Sequence, residues 1–328
     1  MQVQLLNKES VLEYAVSRGL FSSSSEITVE ILTGGVSNVV LAMSGEGRDL
    51  VLKQALPELN VPGIWRADQR RAIVEADALK IFQGITPRNV PQLIDSDPER
   101  FTLVLERAPR NVTNWKEDLL AGKIQPEVAG EIGRILGLWH QKTFQRDEIL
   151  QHFNEDELFD QLRISPFYRA IAHANPEIGS RIANLIAELE GDKSSLVHGD
   201  YSPKNILVEE NGTPIILDFE VAHAGNPVFD LAFFLGHLLA KFEYSQSPTA
   251  QGKVSRSAML FLSQYQQAFT SPSPTLSWHV AAIALARVDG VSRVSYLSED
   301  GRLNLRNTCL GLLQSDTPAS MAEVFSEL

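Results

Sequence analysis

Between residues 27 and 105 apolar positions come in short runs, whereas from Asn114 onward they recur with a helical period. The first regime predicts strands over Ile27–Leu32, Val39–Met43, Leu50–Gln54, Pro91–Ile94 and Phe101–Leu105. The first two flank Thr33-Gly34-Gly35-Val36-Ser37-Asn38, and the next pair flanks Gly45-Glu46-Gly47. A helix over Lys8–Arg18, stopped by Gly19, precedes these strands. A second, over Arg66–Phe82, interrupts them with Ala72, Ala76, Leu79 and Phe82 on one side. The later regime predicts helices over Ile124–Phe144, Pro176–Leu189, Pro227–Phe242, Val254–Phe269 and Trp278–Val288. Within it lies one β signal: Ile206–Val208 and Ile215–Leu217 face each other across a turn containing Asn211-Gly212. A small β-rich part followed by a larger helical part predicts an α+β fold of two lobes, 1–106 and 107–328, with the boundary at Glu106–Pro109.

Composition narrows the function classes. Hydrophobic residues make up 44% of the 328 and charged residues 21%, as expected of a chain that buries a sizeable core. The formal net charge of -12 argues against a nucleic-acid or anionic-membrane partner, since polyanions need a basic face. The first ten residues, MQVQLLNKES, hold no cationic stretch followed by an apolar core, so no secretory signal is read there. The most apolar run, Val228–Leu239, is broken by Asp230 and His237 and is too short to span a bilayer. A lone cysteine, Cys309, excludes an internal disulfide framework and any multi-cysteine metal site, and a reduced, cytoplasmic setting is expected.

The candidate chemistry surrounds the hairpin. It is preceded by His198-Gly199-Asp200-Tyr201-Ser202-Pro203-Lys204-Asn205 and followed by Asp218-Phe219-Glu220. Phosphoryl transfer to an alcohol needs a carboxylate to orient the hydroxyl and metal ions to neutralise developing charge. An Asp, an Asn five positions later and a hairpin ending in a second Asp bring three oxygen-bearing side chains to one edge. Asp200 would orient and deprotonate the acceptor, while Asn205 and Asp218 would hold magnesium, a hard cation that prefers oxygen. The order matches the catalytic loop and metal-binding Asp of protein kinases.

Together with Asn226-Pro227-Val228-Phe229-Asp230-Leu231-Ala232, these residues resemble the aminoglycoside phosphotransferase and choline kinase superfamily. The resemblance implies a protein-kinase-like fold, ATP between two lobes, and magnesium as cofactor. It makes Asp200 the base, Asn205 and Asp218 metal ligands, and Asp230 a buttress of the catalytic loop. Upstream, Gly34 and Gly35 would let the backbone approach the ATP phosphates, and the Ser37 hydroxyl would donate to one. Lys53 closes its strand where a kinase lysine reaches the α- and β-phosphates. Glu75, on the following helix, is its expected ion-pair partner, with Asp77 the weaker competitor. Glu106 falls in the segment whose backbone would bind adenine. Phe219-Glu220 replaces the Phe-Gly of protein kinases, and Glu220 is either a further metal ligand or a hydrogen-bond acceptor behind the ligands. Only twelve positions separate Asp218 from Asp230, which leaves little room for a peptide-docking segment and argues against a protein substrate; the superfamily's small-molecule members share this short connection.

Within the superfamily, Leu52–Pro57, the Trp65-Arg66 region, Asp218-Phe219-Glu220 and Phe229–His237 look like the methylthioribose kinases. Those enzymes phosphorylate the anomeric hydroxyl of a thiomethylated ribose and carry a tandem arginine late in the chain. Ala286-Arg287-Val288-Asp289-Gly290 is the nearest counterpart here, with a single arginine, and Arg287 is the candidate for acceptor binding. Aminoglycoside, choline and homoserine kinases remain alternatives for the acceptor. A nucleotide-binding module without catalysis is the alternative of another class.

Overall fold

The computed structural model describes residues 4–23, 26–32, 37–60, 67–245, 247–270 and 273–326. The chain divides into two units, Met1–Arg110 and Asn111–Leu328. In the first, an antiparallel sheet has the order β1-β2-β3-β5-β4. Its strands are β1 (Thr28–Ile31), β2 (Asn38–Gly45), β3 (Arg48–Ala55), β4 (Leu93–Asp97) and β5 (Thr102–Glu106). β2 and β3 join through Glu46-Gly47, both at positive φ (49° and 74°), as a two-residue hairpin requires. Helix α1 (Ser10–Ser17) buries Val11 and Ala15 against Leu50 and Leu52 of β3 in a common core. Strand alternation sends Lys53 to the opposite side from Leu52.

Helix α2 (Arg71–Ile85) buries the predicted stripe of Ala72, Ala76, Leu79 and Phe82. It begins later than the apolar pattern suggested. A tight turn precedes it, in which the Asp68 carbonyl accepts the Arg71 amide (3.3 Å) and the Arg71 guanidinium (3.1 Å), and the Ala67 carbonyl accepts the same guanidinium (3.0 Å).

The second unit is mainly helical. Its helices are α3 (Trp115–Leu120), α4 (Pro126–Thr143), α5 (Gly179–Gly191), α6 (Val228–Tyr244), α7 (Pro248–Ala268), α8 (Leu276–Asp289) and α9 (Glu299–Gln314), with a π-helical stretch at Asp160–Arg169. Two small sheets complete it. β6 (Thr113–Asn114), β8 (Ile206–Val208) and β9 (Pro214–Ile216) form one, in the order β6-β8-β9. β7 (Ser195–Val197) and β10 (His223–Gly225) pair antiparallel as the other. The β8–β9 hairpin aligns Ile206 with Ile216, and its turn places Gly212 at φ 86°. Helices α4 and α7 approach closely because a Cβ at Gly133 would sit 2.1 Å from the Phe261 carbonyl oxygen. From Val228 to Phe242 every residue of α6 is buried, Asp230, His237 and Lys241 included, so the helix predicted here runs through the core. No helix among the described residues is long and apolar enough to cross a membrane.

Candidate active site

Each unit carries one constellation. In the first, Lys53 Nζ lies 2.7 and 2.8 Å from the two carboxylate oxygens of Glu75. The glutamate side chain is 1% exposed and the lysine 12%, so the pair is largely shielded from water. Asp77, the competing carboxylate, pairs instead with Lys80 at 2.8 Å. Ser37 is buried, and its Oγ accepts from Asn38 Nδ2 at 2.9 Å. Its carbonyl is fixed by Arg71 (2.5 Å) and by the amide of Leu56 (2.9 Å). Gly34 and Gly35, predicted to cover phosphates, lie outside the described residues, as do Trp65 and Arg66. Glu106 ends β5; its amide donates to Gln92 and that of Arg107 to Asp49, so both N–H groups are engaged within the unit.

Replacing Lys53 with Met is expected to raise the requirement for nucleotide and lower turnover, and Glu75→Gln to do so less strongly. Because the two side chains touch, a double-mutant cycle should return a coupling of about 0.5–3 kcal/mol. Strictly additive effects would break the assigned pairing.

The second constellation starts where β7 ends. Gly199, at φ 76°, admits no side chain: a Cβ would lie 2.4 Å from the Val221 carbonyl oxygen. Its neighbours are held from below by Asp230, which sits near the start of α6 and is fully buried. Asp230 Oδ2 accepts the His198 amide at 2.7 Å and Oδ1 the Gly199 amide at 2.9 Å. His140 Nε2 approaches the same carboxylate at 3.2 Å, while its Nδ1 meets the Tyr265 hydroxyl at 2.9 Å. Burial pushes the Asp230 carboxyl up, but hydrogen bonds from His140 and His198 outweigh it and leave it below the ordinary range.

His198 ties the loop to the hairpin. Its Nδ1 accepts the Asp200 amide at 3.1 Å, which puts the ring proton on Nε2, 3.1 Å from the Leu217 carbonyl oxygen. Burial lowers its pKa, consistent with a neutral ring. Asn205 Nδ2 donates to the Asp200 carbonyl at 3.0 Å, and the Leu217 amide donates to the Asn205 carbonyl at 2.8 Å. The predicted base is therefore linked to Asn205 by a side-chain hydrogen bond, and Asn205 to the residue before Asp218 by a main-chain one.

Asp218 stands at φ 71°, a left-handed conformation that non-glycine residues rarely adopt and that clusters at functional sites. The next residue holds it there: Phe219 is fully buried, its ring 4.6 Å from that of His198 and 5.7 Å from that of Trp139. Carboxylate oxygens of Asp218 and Glu220 lie within 4.8 Å of one another. Asn205, Asp218 and Glu220 thus offer only oxygen donors, a set suited to a hard cation such as magnesium.

Asp200 itself is 3% exposed, and two cations meet it: Arg163 at 3.1 Å and Lys204 at 3.0 Å, both on Oδ2. Arg163 also donates to the Gly199 carbonyl at 2.5 Å. No sequence signal marks Arg163, because it reaches the loop from the π-helical stretch, which has no sequence period of its own. His140 was equally unassigned, although a histidine within the apolar stripe of Ile132, Leu136 and Trp139 signals a buried polar partner. Arg287, on the last turn of α8, is partly exposed, with its Nε buried and unbonded among the described residues.

Comparison with known proteins bears on family and fold. Residues 28–258 match the model of the phosphotransferase enzyme family, a span that includes both constellations. A methylthioribose kinase of Bacillus mycoides is 26% identical over 263 residues, covering 71% of this chain and 66% of that enzyme, just under two thirds of its length. A choline kinase from Streptococcus pneumoniae has the same fold, with a TM-score of 0.52 at 16% identity over 93% of this chain and 98% of that one. So does an aminoglycoside phosphotransferase from Alicyclobacillus acidocaldarius, with a TM-score of 0.53 at 13% identity over 96% and 97%. With more than half its length matched by the family model and its fold shared with these kinases, the chain belongs to the phosphotransferase enzyme family.

Proposed function

We propose that the protein is an ATP- and magnesium-dependent kinase that transfers the γ-phosphoryl group to a hydroxyl of a small molecule. The observation that carries this reading is the Asp230-anchored loop, which links Asp200, Asn205 and the strained Asp218 through His198 and Leu217. Asp200 takes the proton of the acceptor hydroxyl on Oδ1, since both ion pairs occupy Oδ2. Arg163 and Lys204 hold that carboxylate in place. Asn205 and Asp218, with Glu220 behind them, would hold magnesium, which supplies neutralisation of phosphate charge when bound. Residues 1–106 serve the nucleotide, with Lys53 on its phosphates and Glu75 orienting the lysine, and residues 107–328 serve catalysis and the acceptor.

The names of the matched relatives support a pentose such as methylthioribose as the first acceptor to test. Choline, aminoglycosides and homoserine come next. The metal assignment is tested by calorimetric titration of magnesium-nucleotide into Asp218→Asn. An amide oxygen brings no charge to a hard cation, so affinity should fall at least about tenfold and turnover should stop. Unchanged metal-nucleotide affinity and turnover would remove Asp218 from the ligand set.

A further inference from the structure

In the second unit, a cavity of about 320 Å3 is lined by Arg287, Arg293, Arg302 and Arg306, with Ser295 among its other walls. That volume suits a small molecule. Four arginines around one small cavity stand out in a chain with 29 Lys and Arg against 41 Asp and Glu. No carboxylate lines it. Arg306 is paired with Asp289, and Arg293 Nε donates to the Gly290 carbonyl at 3.2 Å. Neither Arg287 nor Arg302 makes an ion pair among the described residues, and the buried Nε of Arg287 has no hydrogen-bond partner there. A guanidinium nitrogen withdrawn from water without an acceptor is costly, and an anionic ligand would supply one.

The positive character continues inward. Lys241 is 2% exposed, and among the described residues its Nζ has two long hydrogen bonds, to the His237 carbonyl and the Tyr296 hydroxyl, both at 3.4 Å. Burial, then repulsion from Arg287 and Lys116, pushes its pKa down to about 7, with Glu117 opposing weakly. Outward, one aromatic ring stands between this cluster and the residue that grips Asp200. The Arg287 guanidinium lies 5.8 Å from the ring centre of Phe167, and that of Arg163, which grips Asp200, lies 5.9 Å from the same ring.

We infer that the acceptor is an anion: a small hydroxylated compound whose carboxylate or phosphate is bound by Arg287, Arg293 and Arg302 beside Asp200. Arg306, already neutralised by Asp289, shapes the wall. This rests on the kinase reading and narrows its substrate class. A neutral sugar such as methylthioribose would offer Arg287 and Arg302 hydroxyl acceptors but no opposite charge, and cationic acceptors such as choline would be repelled. Charge-assisted, forked contacts to carboxylate or phosphate are the recognition mode arginine serves best.

The test is calorimetry on the full chain saturated with magnesium-ADP, at fixed ionic strength. Ribonate (a carboxylate), ribose 5-phosphate, ribose and choline are the probes. At least one of the two anions should bind, about tenfold or more tighter than ribose or choline, and which one binds identifies the anionic group. The exposed double variant Arg293→Gln/Arg302→Gln should lose that binding about 10–100-fold while keeping its magnesium-ADP affinity. Arg287→Gln should do the same, with circular dichroism confirming that it folds. Ribose binding as tightly as both anions, or anion binding indifferent to the double variant, overturns the inference. Anion binding seen only without ADP overturns it too, because the cavity would then serve nucleotide phosphates. Magnesium-dependent ATP hydrolysis that Asp200→Asn abolishes is followed in parallel. If it persists while no anion binds, the anion inference alone fails; if no nucleotide binds at all, the kinase reading fails.

Discussion

Asp200→Asn should lower turnover about 10²–10⁴-fold while leaving magnesium-nucleotide affinity nearly intact. The substitution preserves size and keeps one acceptor oxygen, but it removes the charge that takes the hydroxyl proton. Arg163 and Lys204 would then face a neutral amide. Their own repulsion, no longer offset, adds to the loss and disfavours any accidental recovery of the base. Steady-state kinetics should therefore show a collapse in kcat with little change in the Michaelis constant for ATP. Turnover near that of the unmodified protein would remove Asp200 as the base.

Asp230→Ala should be the most destabilising single change in the loop region, costing about 3–5 kcal/mol. It leaves the buried amides of His198 and Gly199 without acceptors and strands His140. Asp230→Asn retains an acceptor oxygen and should cost less, which separates lost hydrogen bonding from lost charge. The pH dependence follows from the lowered carboxyl of Asp230 in the folded protein. Its stabilisation is complete above the unfolded carboxylate value of about 3.9 and fades as pH falls through the lower folded value. Chemical denaturation of both variants at neutral pH, and of Asp230→Ala against the unmodified protein down to pH 3, reads both effects. The alanine variant's deficit should shrink at the acid end. A deficit that grows on acidification would contradict the assigned role.

The parts of this molecule that sequence reveals are those whose causes are local. The β8–β9 hairpin announces itself through Asn211-Gly212, and Gly212 takes the positive φ such a turn needs. The loop residues from His198 to Asn205 and Asp218 are contiguous or nearly so, and their order around the hairpin carried the chemistry. Lys53 and Glu75 stand on a strand and a helix that the patterning shows, but their pairing was legible only through the kinase resemblance. Elements without such local signals went unread. Helix α9 carries Gly301 and Gly311, which break its apolar pattern, and α7 starts at Pro248, six residues earlier than predicted. There Ser247 caps the helix and proline sits at its first position, while Gln251, Gly252 and Lys253 hide the apolar stripe. Arg163, His140 and the arginine-lined cavity depend on side chains brought together from distant segments, so no spacing rule exposes them.

The claim that this chain is a working small-molecule kinase is tested most directly by transfer of γ-labelled phosphate from magnesium-ATP. Acceptors should include neutral pentoses with methylthioribose, sugar acids and sugar phosphates, amino alcohols and aminoglycosides. Labelled product should form with at least one acceptor, require magnesium, and vanish in Asp200→Asn. Tight nucleotide binding with neither labelled product nor any release of phosphate to water would contradict it, leaving a nucleotide-binding protein without catalysis.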